Sequence, residues 1–106
     1  MLGQAIQIIT PQGRLDAAGT RPLEAELKQR IAAGETRLIV DLQKTRYIGS
    51  NGLRVLLAAL KQAKERGGTL KLCGLAARLK EIFAMAGFDH LFEILETCEE
   101  ANKSFE

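Results

Sequence analysis

Residues 38–42 read Leu38-Ile39-Val40-Asp41-Leu42, and this stretch decides the fold class. A short apolar run without alternation is typical of a strand that is buried on both faces, in the middle of a sheet. After a predicted loop over 41–50, an amphipathic helix follows, with apolar residues at the spacing i, i+3, i+4 and i+7: Leu53, Leu56, Leu57 and Leu60. A buried strand followed by such a helix favours α/β architecture.

Strands and helices alternate on both sides of this unit. Apolar patterning predicts strands over 4–10, 69–73 and 92–95, with one more short extended piece at 14–16. Helices are predicted from Thr20 to Gly34 and over 75–86, and a polar helix follows over 96–104. The chain is therefore predicted to form one α/β domain over 1–106. It should have a roughly four-stranded mixed sheet with helices mainly on one face, and residues 96–106 should form a polar helix or tail.

Composition excludes several classes of protein. With 106 residues, 46% apolar and 26% charged, the chain has the length and composition of one globular domain. Its longest apolar run, Val55 to Leu60, is far shorter than the roughly 20 residues of a membrane span, so no membrane insertion is expected. One histidine and two cysteines argue against metal or haem chemistry, and no cofactor is predicted. Cys73 and Cys98 form no CxxC pair and are predicted to be reduced thiols of a cytoplasmic protein.

The small net charge of +2 hides an uneven distribution. Between Leu42 and Lys80 there are nine basic residues and one acidic residue, so this segment carries 9 − 1 = +8 and the remainder 2 − 8 = −6. Such lobes can steer a charged partner, or they can be the solvated faces of amphipathic helices. Tyr47 is the only aromatic residue interleaved with the basic positions, so direct binding of nucleic acid is not expected.

A serine, Ser50, stands where the helix after the loop should begin, and an N-cap is expected at that place. The start of a helix presents unpaired backbone N–H groups and about half a positive charge, so it accepts anions. A phosphate on Ser50 would add roughly −1.5 to −2 charges without breaking the fold. Ser50 is thus either a simple N-cap or a modification site.

Several strings, in this order, resemble the STAS domain, the fold of bacterial anti-sigma factor antagonists. Gly13-Arg14-Leu15-Asp16 is similar to the family's Gly-x-Leu-Asp turn, and Ile48-Gly49-Ser50-Asn51-Gly52-Leu53 is similar to its Asp-Ser-x-Gly-Leu phosphorylation motif. The other matching segments are Leu38 to Leu42, Gly67-Gly68 with Leu70-Lys71-Leu72, and Leu79 to Phe88. The resemblance extends from about Ala5 to Glu96.

The resemblance implies a regulatory binding protein that is not an enzyme. In the family, an anti-sigma factor that is also a serine kinase binds the domain and phosphorylates it, and a phosphatase reverses the reaction. Ser50 takes the position of the phosphorylated serine in this chain. The expected partner-binding residues are Asp16, Gly49, Ser50, Asn51, Gly52 and Leu53. Asp16 can equally be a turn residue, and Leu53 is expected to be mainly a core residue.

Two departures from the family pattern leave alternatives open. Gly49 replaces the family's aspartate, so the domain could instead be a subunit of a partner-switch or transporter complex that acts without phosphorylation. The short N-terminus suggests a homodimer through an edge strand. An enzyme is disfavoured, because Gly49-Ser50-Asn51-Gly52 is not a G-x-S-x-G nucleophile elbow and the acidic residues share no visible acid–base geometry.

Overall fold

The apolar stretch at 38–40 forms a central strand of the main sheet. The computed structural model describes residues 5–106. Along the chain its elements are β1 (Gln7–Ile9), β2 (Gly13–Leu15), α1 (Thr20–Ala32), β3 (Arg37–Asp41), β4 (Thr45–Ile48), α2 (Ser50–Glu65), β5 (Thr69–Cys73), α3 (Ala77–Met85), a 3-10 turn (Phe88–His90), β6 (Glu93–Leu95) and α4 (Cys98–Lys103).

The main sheet has four strands in the order β1-β3-β5-β6. Each neighbouring pair is parallel, and Leu38 of β3 lies opposite Gln7 of β1 and Leu70 of β5. The predicted α/β class and strand number are confirmed. The sheet is parallel rather than mixed, because the chain between each pair of neighbouring strands contains a helix that returns it to the same end.

Helices cover the two faces of this sheet unequally. Leu38 and Val40 belong to the core formed with α1, α2 and α3, whereas Ile39 packs with Cys73 and with Ala101 of α4 on the opposite face. The side chains of β3 at 38–40 are fully buried. The expected placement of helices mainly on one face is confirmed. Because β3 is buried on both faces, its residues 38–40 are all apolar and do not alternate with polar residues.

The predicted loop over 41–50 contains a strand. Residues 45–48 form β4, which pairs in parallel with β2 in a separate two-stranded sheet, with Leu15 opposite Ile48. The ladder begins where the Gly13 N–H donates to the Lys44 carbonyl at 2.8 Å. Thr45 and Ile48 are buried at its two ends. The prediction of a loop is wrong because pairing with a distant strand, rather than local pattern, makes this segment extended.

β1 is shorter than the predicted strand over 4–10, and residue 4 lies outside the described residues. Ile9 is buried against the helices, Ile6 packs towards α4, and Ile8 is half exposed. Within the described residues β1 is an edge strand of the main sheet. A homodimer through this edge stays a prediction.

The C-terminal helix is anchored to the sheet by a buried lysine. Lys71 of β5 is only 7% exposed, and its ammonium group donates to the Ser104 carbonyl at 3.0 Å and to Ser104 Oγ at 2.7 Å. The same nitrogen lies 3.4 Å from a Glu93 carboxylate oxygen and 4.2 Å from the centre of the Phe105 ring. A buried ammonium is tolerated because these partners replace its hydration. The predicted terminal helix is confirmed with narrower bounds.

Cys73 and Cys98 form a disulfide, so the prediction of two reduced thiols is wrong in this structure. Cys73 ends β5 and Cys98 begins α4, and docking of α4 on the sheet brings their Cα atoms to 5.3 Å. This separation lies within the range of about 4.4–6.8 Å that a disulfide requires. Cys73 is fully buried.

The longest helix among residues 5–106 is α2, which has 16 residues. No helix in this part of the chain combines the length and the apolar character that crossing a lipid bilayer requires.

Phe83 of α3 should be a main contributor to stability. It is fully buried, with its ring edge-on to Phe92 at a centroid distance of 6.0 Å. We expect Phe83→Ala to lower the free energy of unfolding by about 3–5 kcal/mol in urea titrations, because it leaves a cavity. The control is Met85→Ala in the same helix, where the side chain is 88% exposed and the expected change is below about 0.5 kcal/mol. Equal losses in the two variants would contradict the described packing.

Candidate functional site

Ser50 is the first residue of α2, and its side chain is exposed. The N-cap of this helix is Gly49, and no side chain caps it, so the prediction that Ser50 is the N-cap is wrong by one residue. The Gly49 carbonyl accepts the first helical hydrogen bond from the Leu53 N–H at 3.0 Å. The Ser50 hydroxyl therefore lies at the positive end of a four-turn helix without serving as its cap.

The β2–β4 ladder holds the loop in front of Ser50. The Gly49 N–H donates to the Leu15 carbonyl at 3.1 Å, directly after the pairing of Leu15 with Ile48. Asp16 follows Leu15, so the ladder brings the start of α2 next to the turn that carries Asp16. Two segments that are more than 30 positions apart thus form one surface.

Asp16 organises the start of α1. Its Oδ1 accepts from the Gly19 N–H at 2.9 Å, and its carbonyl accepts from the N–H and hydroxyl of Thr20 at 3.0 and 2.6 Å. The interpretation of Asp16 as a turn residue that bonds neighbouring backbone is confirmed. Its carboxylate stays half exposed, so the predicted contact with a partner remains compatible with this geometry.

Tyr47 and Arg14 form a stacked pair beside Gly49. The Arg14 guanidinium carbon lies 4.3 Å from the centre of the Tyr47 ring, and Arg14 Nε lies 3.7 Å from Asp16 Oδ2. A Cβ at position 49 would lie 3.2 Å from the Tyr47 hydroxyl oxygen. The absence of a side chain at 49 thus makes room for the phenol, and an aspartate there would have to displace it.

The three residues after Ser50 face different surroundings. The Asn51 amide oxygen accepts a hydrogen bond from Arg54, one turn along α2. Gly52 and Leu53 are buried, and a Cβ at Gly52 would lie 2.7 Å from Ile48 Cγ1. The interpretation of Leu53 as a core residue is confirmed. Gly52 permits close packing inside the domain, and a role of either residue in docking stays a prediction.

A polar groove lies between the first turns of α1 and α2. It has a volume of about 200 Å³, and its charged and amide lining residues are Arg21, Glu24, Asn51 and Arg54. Ser50 precedes Asn51 at one end of this lining. The groove therefore brings charged groups of both signs together with Asn51, the residue that follows Ser50.

Comparison with known proteins identifies the family to which this fold belongs. The family model described as "Mlab, STAS domain" matches residues 5–96. The chain belongs to the STAS domain family. It is 38% identical over 94 residues to BtrV, a candidate anti-sigma factor antagonist of Bordetella bronchiseptica, and the alignment covers 89% of this chain and 81% of BtrV.

Solved structures show the same fold at low sequence identity. An anti-sigma factor antagonist from Mycobacterium paratuberculosis has a TM-score of 0.85 at 19% identity, over 98% of this chain and 88% of that chain. The Bacillus cell fate determinant SpoIIAA in its phosphorylated form has a TM-score of 0.71 at 20% identity, over 93% and 89%. This STAS domain therefore shares its architecture with anti-sigma factor antagonists.

The sequence does not predict the stacked pair of Arg14 and Tyr47 beside Gly49. It places Tyr47 in the predicted loop over 41–50 and Arg14 only within a turn that resembles the family's. The alternation of Thr45, Tyr47 and their neighbours could have indicated a strand, because these residue types favour extended backbone. The stack itself needs the pairing of β2 with β4, which no local pattern reveals.

Gly52→Ala tests the packing under Ser50. The new Cβ would lie 2.7 Å from Ile48 Cγ1 and 3.1 Å from Leu15 Cβ, so neighbouring side chains must shift. We expect a net loss of about 1–3 kcal/mol in urea unfolding, although alanine is the better helix former. The control is Asn51→Ala on the same turn, which should change stability by less than about 0.5 kcal/mol. A stabilised Gly52→Ala variant would refute the close contact.

Proposed function

We propose that this STAS domain is an anti-sigma factor antagonist that performs no catalysis of its own. It binds an anti-sigma factor that is also a serine kinase, and phosphorylation of Ser50 ends the binding until a phosphatase removes the phosphate. The observation that carries this proposal is the exposed Ser50 hydroxyl at the N-terminus of α2. The sequence resemblance matches Ser50 to the family's phosphorylated serine. The proposal requires a cytoplasmic location, as expected from the sequence.

The surroundings of Ser50 support a switch that works through charge. A phosphate at the N-terminus of α2 meets the positive end of the helix, so the fold tolerates it. Arg54, one turn further, adds a positive charge on the exposed side of the same helix. The modified domain would keep its structure, and its partner would meet roughly −1.5 to −2 new charges at the contact surface.

Gly49 bears on how a kinase would recognise this domain. Without the family's aspartate before the serine, one acidic group on the adjoining turn is Asp16, which is held by Gly19 and Arg14. Recognition of the serine would then depend on Asp16 and on the backbone of the β4–α2 turn. The alternative is that the domain binds a partner constitutively, without phosphorylation.

The chain contains two serines, Ser50 and Ser104, so mass spectrometry of a variant of each can show which one carries the phosphate. We expect incubation with its cognate anti-sigma factor kinase and ATP to add about 80 Da, one phosphate, to wild type but not to Ser50→Ala. The matched control is Ser104→Ala, which should be phosphorylated like wild type. The Ser104 hydroxyl donates to the Ala101 carbonyl at 2.6 Å and accepts from Lys71, so it is engaged within the domain. Absence of a mass gain in wild type favours the constitutive alternative.

Binding of the same kinase separates the two modes of action. We expect Ser50→Ala to bind with wild-type affinity and Ser50→Asp to bind at least about tenfold more weakly in calorimetry, a loss of about 1.4 kcal/mol, because the added carboxylate mimics part of the phosphate charge. Asn102→Asp, an exposed change of the same charge on α4, is the control and should bind like wild type. Equal affinity of Ser50→Asp and wild type would indicate that a charge at Ser50 does not affect binding of the partner.

A further inference from the structure

A second chemical cluster lies at the carboxyl edge of the main sheet. Asp41 ends β3, Cys73 ends β5 directly beside it in the register, and Cys98 begins α4. One carboxylate oxygen and the two sulfur atoms all lie within 4.8 Å of one another. The carboxyl ends of parallel strands are where α/β proteins commonly place ligands.

The cluster is shaped by Gln43 and Gly74. The Gln43 N–H donates to Asp41 Oδ1 at 2.9 Å, and its side-chain amide donates to Asp41 Oδ2 at 3.5 Å and to Cys98 Sγ at 3.7 Å. A Cβ at Gly74 would collide with the Gln43 side chain and would lie 3.1 Å from Asp41 Oδ1. The glycine therefore leaves the space in which Gln43 orients the carboxylate towards the sulfur atoms.

We propose that the reduced form of this domain binds a divalent cation of the Zn²⁺ class through Asp41 Oδ, Cys73 Sγ and Cys98 Sγ, with water as the fourth ligand. Thiolate and carboxylate are ordinary Zn²⁺ ligands, and three protein ligands plus water form a known type of tetrahedral site. At bond lengths of about 2.0–2.3 Å, ligand atoms on a tetrahedral ion are about 3.3–3.8 Å apart. The three atoms lie within 4.8 Å of one another while the sulfur atoms are bonded, so reduction must let the sulfur atoms separate while the carboxylate oxygen moves closer.

The disulfide and the cation exclude each other, because they use the same sulfur atoms. A dithiol reductant breaks the Cys73–Cys98 bond by exchange, delivers two electrons and two protons, and becomes a disulfide itself. Zn²⁺ then displaces both thiol protons to solvent as two Zn–S bonds form. Either state ties the start of α4 to the end of β5.

Exposure decides how the cation could enter. Cys73 is fully buried, whereas Cys98 and Asp41 are partly exposed. The cation would therefore approach from the side of Cys98 and Asp41, and its water ligand would face solvent. No residue of the Ser50 site takes part, so this inference is independent of the proposed function.

Cobalt provides the test, because Co²⁺ occupies Zn²⁺ sites and reports thiolate ligands through a charge-transfer absorption. The full chain is reduced with a water-soluble phosphine under inert gas, and a thiol titration verifies two thiols per chain. We expect one equivalent of Co²⁺ to produce the sulfur-to-metal band, and one equivalent of Zn²⁺ to abolish it. Oxidised wild type should show no band. An absent band in the reduced protein, or an equal band in the oxidised protein, overturns the proposal.

Two variants test the ligands, and a third is the control. Cys98→Ser should lose the two-thiolate band, and Asp41→Asn should weaken Co²⁺ binding at least tenfold, because a neutral amide is a poor substitute for the carboxylate. Asp89→Asn, a carboxylate outside the cluster, is the matched control and should bind like wild type. Circular dichroism establishes that each variant is folded before metal is added. Unchanged binding by folded Cys98→Ser or Asp41→Asn refutes the assigned site.

Discussion

Burial of β3 on both faces is the constraint on which the rest of the structure depends. A strand with Leu38, Ile39 and Val40 fully buried must have a strand on each edge and helices on each face, since its polar backbone and apolar side chains both need partners. β1 and β5 pair with the backbone of β3 on its two edges, and the helices cover its apolar side chains. The parallel order then follows from the helical connections, and it brings the carboxyl ends of the strands to a common edge.

Ser50 depends on this core indirectly, through the small β2–β4 ladder. β4 leads straight into α2, and the bond from the Gly49 N–H to the Leu15 carbonyl joins the last residue before the helix to the opposite strand. Beneath it, Gly52 packs against Ile48 and Leu15 without room for a Cβ. The hydroxyl is thus presented by a rigid support. A change of charge at Ser50 is therefore expected to affect a bound partner rather than the fold.

The sequence predicted those elements whose signal is local. The run at 38–40, which does not alternate, is sufficient to predict β3, and the helical spacing from Leu53 is sufficient to predict α2. The glycines after the helices predict where those helices end. Features that depend on contacts between distant segments were missed. β4 forms because it pairs with β2, and the disulfide forms because α4 docks beside the end of β5. The burial of Lys71 was missed for the same reason. Its position in an alternating strand predicts an exposed side chain, but Ser104 and Phe105, which are distant in sequence, cover it. The start of α2 at Ser50 was predicted to within one residue, but the stacked pair of Arg14 and Tyr47 was not predicted.

The two faces of β3 also separate the two proposed sites of the domain. Leu38 and Val40 support the helices on the side of Ser50, whereas Ile39 supports the side where Cys73 meets α4. Neither cluster shares a side chain with the other, and changes at independent sites usually add in free energy. A partner that contacts the start of α2 alone would therefore sense the charge at Ser50 and not the oxidation state of Cys73 and Cys98. Coupling between the two would require a partner that also contacts α4, or an element of the domain with two arrangements that both sites favour differently.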